Sequence, residues 1–130
     1  MRRASCSCGQ LTADCAGEPL RVSMCHCLAC QQRTGSAFGL QARFATAQVT
    51  LEGESSTWLR VGDSGGQATF HSCSRCSATV HWTVDRLPGF LVIAVGAFAD
   101  PNFPAPSVAV YEARKHPWVE LPGLSLEHFE

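Results

Sequence analysis

Seven of the eight cysteines fall into three short clusters, in which neighbouring cysteines lie two or three positions apart. The clusters are Cys6 and Cys8, then Cys25, Cys27 and Cys30, and finally Cys73 and Cys76. Closely spaced thiolates are strong ligands for zinc, because two of them can reach one ion without straining the backbone. Four cysteines close a structural zinc site, whereas three leave one coordination position free. The count of seven therefore suggests one site of each kind.

Length and charge restrict the setting in which these cysteines act. The 130-residue chain is long enough for a single domain, and its formal net charge of −1 gives no electrostatic footprint for nucleic acid. No apolar segment of a secretory signal follows the first residues, and the longest apolar run, residues 90–99, is too short to cross a membrane. We therefore predict a cytoplasmic protein, in which clustered cysteines are metal ligands more often than disulfides.

The first and third clusters are candidates for one four-thiolate site. Its ligands would be Cys6, Cys8, Cys73 and Cys76. Such a site would tie the N-terminus to the middle of the chain, and zinc contributes on the order of 10 kcal/mol to the folding of small zinc peptides. The spacing also leaves open that Cys25 and Cys27 take part in it.

The middle cluster, Cys25, Cys27 and Cys30, would then hold a second ion with one free position. That position suits a thiol ligand, because bound zinc deprotonates a thiol. The alternative is a second structural site, closed by His26 or by another residue. Neighbouring side chains in an extended segment point to opposite faces, so we favour His26 as a hydrogen-bond donor or proton carrier near the site, not as a ligand.

Small polar residues and one cation follow this cluster. The guanidinium of Arg33 and backbone N–H groups near Gly35 and Ser36 could bind a carboxylate. The alternative is an ordinary turn that caps a short helix.

The remaining cysteine and the aromatic side chains are expected to serve packing. We predict that Cys15 is a buried core thiol, and that His71, His81 and Trp82 pack around the third cluster. Trp118 is expected to close the core near the C-terminus.

Antiparallel strands are the elements that must position these residues. Short apolar stretches alternate with Gly, Pro, Ser and Asp throughout, which is typical of antiparallel β structure. A helix is expected only as one or two turns within residues 27–33. Strands are predicted over residues 10–16, 20–24, 36–44, 49–51, 57–61, 68–71, 79–84, 90–95 and 107–113.

Together these motifs resemble the glutathione-dependent formaldehyde-activating enzyme family. They are C-x-C-G, C-H-C-x-x-C-Q-x-x-T-G-S-A-F, T-F-H-x-C-x-x-C, V-G-x-F-x-D-P-x-F-P-x-P and a closing H-P-W-V. The resemblance extends from Cys6 to about Pro122, nearly the whole chain, and the joint spacing is far more specific than any single C-x-x-C.

The resemblance implies an all-β fold with minimal helix, an antiparallel β-tent built around zinc, in one domain over residues 1–130. It implies two zinc ions per chain, a structural one on the first and third clusters and a second one on the middle cluster, near bound glutathione. It also implies a carbon–sulfur lyase that joins a glutathione-type thiol to formaldehyde or another small aldehyde. The partners that it implies are small molecules. The net charge and the short apolar runs predict no nucleic-acid and no membrane partner, and the sequence leaves open whether the chain forms a homodimer.

Two residues depart from the family pattern F-C-x-x-C-G around the third cluster. Ser72 replaces the phenylalanine and Ser77 replaces the glycine. The glycine often supplies a positive φ after a metal-binding turn, and a non-glycine residue there costs about 1 kcal/mol. We expect these changes to affect the tightness of the structural site and to leave its ligands unchanged.

Two other functions are compatible with the same cysteines. One is a non-catalytic zinc β-domain that binds a protein partner or a thiol ligand, since centromere protein V is similar in this domain. The other is a redox protein, which would need cysteines of low pKa without metal.

Overall fold

The computed structural model describes all residues, 1–130. It contains eleven strands and one short α-helix, α1 (Leu28–Thr34). The strands, in chain order, are β1 (Arg2–Ser5), β2 (Thr12–Cys15), β3 (Arg21–Cys25), β4 (Gly39–Ala45), β5 (Val49–Glu52), β6 (Ser55–Val61), β7 (Gln67–Cys73), β8 (Thr79–Val84), β9 (Phe90–Ala94), β10 (Val108–Val110) and β11 (Glu127–His128). The predicted all-β fold with minimal helix is confirmed, and the helix lies where one or two turns were expected.

The strands form two sheets. The smaller sheet has the order β1-β2-β5, and the larger has the order β11-β10-β3-β4-β9-β8-β7-β6. Most pairs are antiparallel, as predicted, but β10 runs parallel to both β3 and β11. The sequence did not indicate this direction, because apolar alternation is the same in a parallel and an antiparallel strand.

The predicted strands are present with bounds that differ by up to three residues, as where β4 begins at Gly39 and not at Ser36. The last predicted strand, residues 107–113, is shorter in the structure because Tyr111 adopts a positive φ of 55° and ends β10. Strands β1 and β11 were not predicted. They contain four and two residues and carry no apolar alternation that would mark them.

The main core lies between the two sheets. Its fully buried members come from both of them, including Ala13 and Cys15 of β2, Phe44 of β4 and Ile93 of β9. The prediction that Cys15 is a core thiol is thus confirmed, and burial raises its pKa to about 11.

The C-terminal segment closes a smaller apolar cluster next to β3 and β10. Val119 is buried there together with Met24 and Ala109. Trp118 is 70% exposed, so the prediction that it closes the core is wrong. The buried residue is its neighbour, because the chain presents one side of this segment to β3 and β10 and the other to solvent.

The large sheet has a second apolar face that the sequence did not reveal. Phe70 and Trp82 are cross-strand neighbours, and they form a cluster with Ala68 and Val92 that is separate from the main core. The prediction that Trp82 packs around the third cysteine cluster is therefore wrong. His71 and His81 do pack together, with ring centroids 4.6 Å apart. The register pairs His71 with His81 and Ser72 with Thr79, so Val80 has no partner and forms a bulge.

Candidate functional site

The first and third cysteine clusters converge in the structure. Cys6 and Cys8 lie in the turn between β1 and β2, while Cys73 ends β7 and Cys76 lies in the following turn. Their four sulfur atoms all lie within 4.8 Å of one another. The Sγ atom of Cys8 is 3.7 Å from that of Cys6 and 3.6 Å from that of Cys73. Four thiolates around zinc at about 2.3 Å are about 3.8 Å apart, so the residues fit a tetrahedral zinc ion.

Backbone N–H groups stabilise a negative charge on the sulfur of Cys73. Its Sγ atom accepts hydrogen bonds from the N–H groups of Arg75 at 3.3 Å and Cys76 at 3.4 Å. Burial opposes ionisation of this thiol, but these bonds and one from Gln10 lower its pKa to about 5. Ser77, which follows the cluster, adopts the positive φ of 69° for which a glycine is better suited.

Gln10 connects the four-sulfur cluster to the hairpin between β5 and β6. Its Nε2 donates to Cys73 Sγ at 2.9 Å and to the carbonyl oxygen of Glu54 at 2.6 Å. The N–H of Glu54 in turn donates to Gln10 Oε1 at 2.9 Å. Gly53 makes this approach possible, because a Cβ atom there would collide with the backbone of Gln10. The sequence analysis missed Gln10, since nothing but its position beside Cys8 marks it.

The middle cluster also converges. Cys25 ends β3, Cys27 caps the N-terminus of α1, and Cys30 lies in its first turn. Their sulfur atoms lie within 4.8 Å of one another, and no fourth histidine, cysteine, aspartate or glutamate belongs to the group. Cys25 and Cys30 are buried, whereas Cys27 is only partly buried. The three thiols fit a zinc ion with one position left for a ligand.

Hydrogen bonds within the middle cluster favour the thiolate form of Cys27. The pKa of Cys27 falls to about 2, mainly because the Cys25 and Cys30 thiols donate hydrogen bonds to its sulfur. The pKa of Cys25 is raised by the same interactions, since it is a donor in them. The backbone N–H of Cys30 also donates to Cys27 Sγ, at 3.3 Å.

His26 is buried but does not join the cluster. Its ring packs edge-on against Phe38, with centroids 5.9 Å apart, and its Nδ1 has no hydrogen-bond partner. Burial lowers the pKa of this histidine, which favours its neutral form. His26 does not belong to the converging group of ligand atoms, and no hydrogen bond from its ring supports the expected donor role. Its role near the site stays a prediction.

Arg33 lies beside the three thiols on the second apolar face. Its guanidinium carbon is 4.4 Å from the centroid of the Trp82 ring and 5.4 Å from that of Phe70. The Nε and Nη2 atoms are buried and have no hydrogen-bond partner. Gly39 lets this side chain lie between α1 and β4, because a Cβ atom there would be 3.0 Å from Arg33 Nη2. Two buried nitrogens without a partner are costly in free energy, and a charged acceptor would remove that cost.

Gly35 and Ser36 are not part of the same surface as Arg33. They line an open groove of about 540 Å³ on the other side of α1, together with Leu28, Gln31, Gln32, Ala37, His116 and Trp118. The N–H of Gly35 donates to Gln31 O at 2.8 Å, and that of Ser36 donates to Thr34 Oγ1 at 3.2 Å. Both N–H groups are already used within the turn that ends the helix. Their role in carboxylate binding stays a prediction.

Gln31 fixes the C-terminal segment to the helix. Its Nε2 donates to the carbonyl oxygens of His26 at 2.9 Å and Arg114 at 3.1 Å, and its Oε1 lies 2.9 Å from His116 Nε2. The sequence analysis did not identify this link, because the two segments are more than 80 positions apart. It holds His116 and Trp118 beside the open groove.

No helix in the structure is both long and apolar enough to span a membrane.

The fold is similar to that of a solved structure. It is the crystal structure of a Rhodobacter sphaeroides protein, which is 18% identical in sequence and superimposes with a TM-score of 0.55. The similarity covers 73% of this chain and 85% of the other. At this level of identity the likeness concerns the fold alone.

The sequence itself matches a family over most of its length. Residues 1–114 match the family described as glutathione-dependent formaldehyde-activating enzyme, and this range includes all the cysteines of both sulfur clusters. The match confirms the resemblance seen in the spacing of the motifs. The chain belongs to the glutathione-dependent formaldehyde-activating enzyme family.

Proposed function

We propose that this protein is a zinc-dependent carbon–sulfur lyase or synthase that acts on a glutathione-type thiol and a small aldehyde, such as formaldehyde. The observation that carries the proposal is the cluster of Cys25, Cys27 and Cys30, which has three convergent sulfurs and no fourth protein ligand. The unpaired guanidinium of Arg33 lies beside it. A small molecule with a thiol and a carboxylate matches this pair of features.

In this proposal the three cysteines hold zinc, which when bound would lower the pKa of a coordinating thiol. Arg33 would bind a carboxylate of the same molecule and so orient its sulfur. A carbon–sulfur bond then forms as the electron pair of the aldehyde C=O bond moves to oxygen. That oxygen takes up one proton, replacing the proton lost by the thiol, and the reverse sequence cleaves the product. No oxidant or reductant is needed.

The four-sulfur cluster is proposed as a structural zinc site, which gives two zinc ions per chain. Its ligands come from segments more than 60 positions apart, so one ion would stabilise the contact between the two sheets. All eight cysteines are free thiols, which is consistent with a reducing cytoplasm. We propose that residues 1–130 act as one domain.

Replacement of single cysteines tests this proposal. The Cys27→Ala variant should lose one zinc ion and all product formation, while its circular dichroism spectrum stays that of the unaltered protein. The matched control is Cys15→Ala, which removes a thiol outside both clusters and should keep both ions and the activity. Full activity in Cys27→Ala, or loss of its fold, would contradict the assignment.

A second candidate function is a non-catalytic zinc domain that binds a protein partner. The observation that favours it is the outer edge of the large sheet, where β6 leaves Trp58, Leu59 and Val61 more than half exposed. An unpaired edge strand with apolar side chains can add a strand from another chain. One stoichiometric partner, together with no aldehyde turnover by the zinc-loaded protein, would favour this function over catalysis.

A further inference from the structure

A pair of arginines lies on the same sheet face as the three thiols, farther along the same two strands. Arg21 of β3 is directly opposite Arg43 of β4, and Ser23 is opposite Gln41. Alternate residues of a strand share one face, so Cys25 lies on the face that carries Ser23 and Arg21. The structure therefore places a row of polar side chains between the thiol cluster and two guanidinium groups.

This arginine pair has no anion within the chain. The four ion pairs of the structure involve Arg2, Arg3, Lys115 and His128. The Nε atom of Arg21 is buried and has no hydrogen-bond partner. Burial and the charge of Arg21 both lower the pKa of Arg43. Like charges directly opposite each other on neighbouring strands are destabilising, and a bound anion would remove this repulsion.

A small cavity lies between the two arginines and the side chain of Trp82. Its volume is about 80 Å³, and its lining includes Arg21, Ser23, Gln41, Arg43, Trp82 and Val92. The first four supply hydrogen-bond donors, and the last two are apolar. The volume is that of roughly two or three water molecules, which suits a carboxylate group but not a whole peptide. Trp82 also lies under Arg33, so this cavity and the thiol site share one wall.

The near end of the cavity is within the reach of a short peptide that is bound at the thiols. Ser23, which lines the cavity, is two residues from Cys25 along β3, or roughly 7 Å at 3.3 Å per residue, and Arg21 is roughly 13 Å away. The guanidinium of Arg43 lies over Phe90, which pairs with Ala45, so it points away from the thiols. An extended tripeptide spans roughly 10 Å, so a molecule with its sulfur at the cysteines would place a carboxylate in the cavity between Ser23 and Arg21.

We propose that Arg21 and Arg43, with Ser23 and Gln41, form an oxyanion subsite that binds a remote carboxylate of the thiol ligand. This inference rests on the proposed function. It assigns the ligand to peptide-like thiols with two carboxylates, one bound by Arg33 and the other by the arginine pair. A thiol without carboxylates would gain no affinity from Arg33 or from the arginine pair.

Calorimetric titration of the zinc-loaded full chain tests the subsite. The ligands are glutathione, which has two carboxylates, and cysteamine, which has none. Arg21→Gln and Arg43→Gln should each weaken glutathione binding about tenfold and leave cysteamine binding unchanged. The matched control, Arg3→Gln, alters an exposed arginine of the smaller sheet and should change neither affinity. Inorganic phosphate should compete with glutathione in the unaltered protein and lose this effect in Arg43→Gln.

The outcomes separate this inference from the proposed function. Glutathione affinity that is unchanged in both variants would overturn the subsite and leave the proposed function standing. An equal loss of cysteamine binding would also overturn it, because the arginines would then act on the thiol site as a whole. Phosphate that binds without displacing glutathione would identify a site for a free anion instead. If the unaltered protein binds no glutathione at all, the proposed function fails, and the subsite fails with it.

Discussion

Replacing Arg33 by methionine should separate stability from ligand binding. Two of its buried nitrogens, Nε and Nη2, make no hydrogen bond. Each unsatisfied buried group costs about 1–3 kcal/mol, whereas the contacts of the guanidinium with Trp82 and Phe70 return up to about 2 kcal/mol. Methionine keeps an apolar stem of similar length over the same rings. The two groups together cost about 2–6 kcal/mol, so we expect the free energy of unfolding of Arg33→Met to be unchanged or higher by up to about 4 kcal/mol.

The same change should weaken glutathione binding. A hydrogen bond to a charged group contributes about 1.5–3 kcal/mol, which corresponds to a loss of affinity of about 10- to 100-fold. Urea unfolding and calorimetric titration of the zinc-loaded protein measure the two quantities. Arg75→Met is the control, because Arg75 is exposed, and it should change neither. A strongly destabilised Arg33→Met variant that binds glutathione normally would refute the reasoning, because Arg33 would then be a structural residue.

Three further predictions concern the four-sulfur cluster and its support. Ser77→Gly should raise the free energy of unfolding by about 1 kcal/mol, since Ser77 has a φ of 69°, and Ser74→Gly in the same turn should give no such gain in urea unfolding. Gly53→Ala should lower the free energy of unfolding by about 2–4 kcal/mol, because its Cβ would strike Gln10. Gly89→Ala, at a similar φ but with open space, should lower it by only about 1 kcal/mol, and equal losses would argue against the clash. Removal of the thiol at Cys73 should lower Tm far more than removal of the thiol at Cys27. Thermal unfolding measures Tm, and the zinc content is measured in parallel. Similar shifts in the two variants would show that both sites are structural.

Local sequence patterns predicted most of the strands. The alternation around Thr12–Cys15 and Thr79–Val84 marks strands because one face of each is buried, and that pattern is visible in the chain itself. The parallel direction of β10 was not predictable in this way. It depends on hydrogen bonds from Ser107 to Val22 and from His26 to Val110, which join segments about 85 positions apart.

The candidate site was likewise predictable in part from local sequence patterns. Cysteine spacing indicated which thiols could share an ion, because ligands two or three positions apart are brought together by a single turn. The same spacing could not predict which other side chains surround the thiols. Arg33 could be identified as a cation that follows the cluster in the chain, but its neighbours Phe70 and Trp82 come from strands of another part of the sheet.

The sequence by itself indicated which cysteines come together, the β-rich fold and the family, since these depend on residue type and on the spacing of short motifs. Only the tertiary structure decided that Gly35 and Ser36 lie across α1 from Arg33, and that Arg21 and Arg43 face each other without an acid. The physical reason is that strand register and helix packing fix which distant side chains become neighbours. Charge repulsion and burial act between those neighbours, and no local pattern in the chain records them.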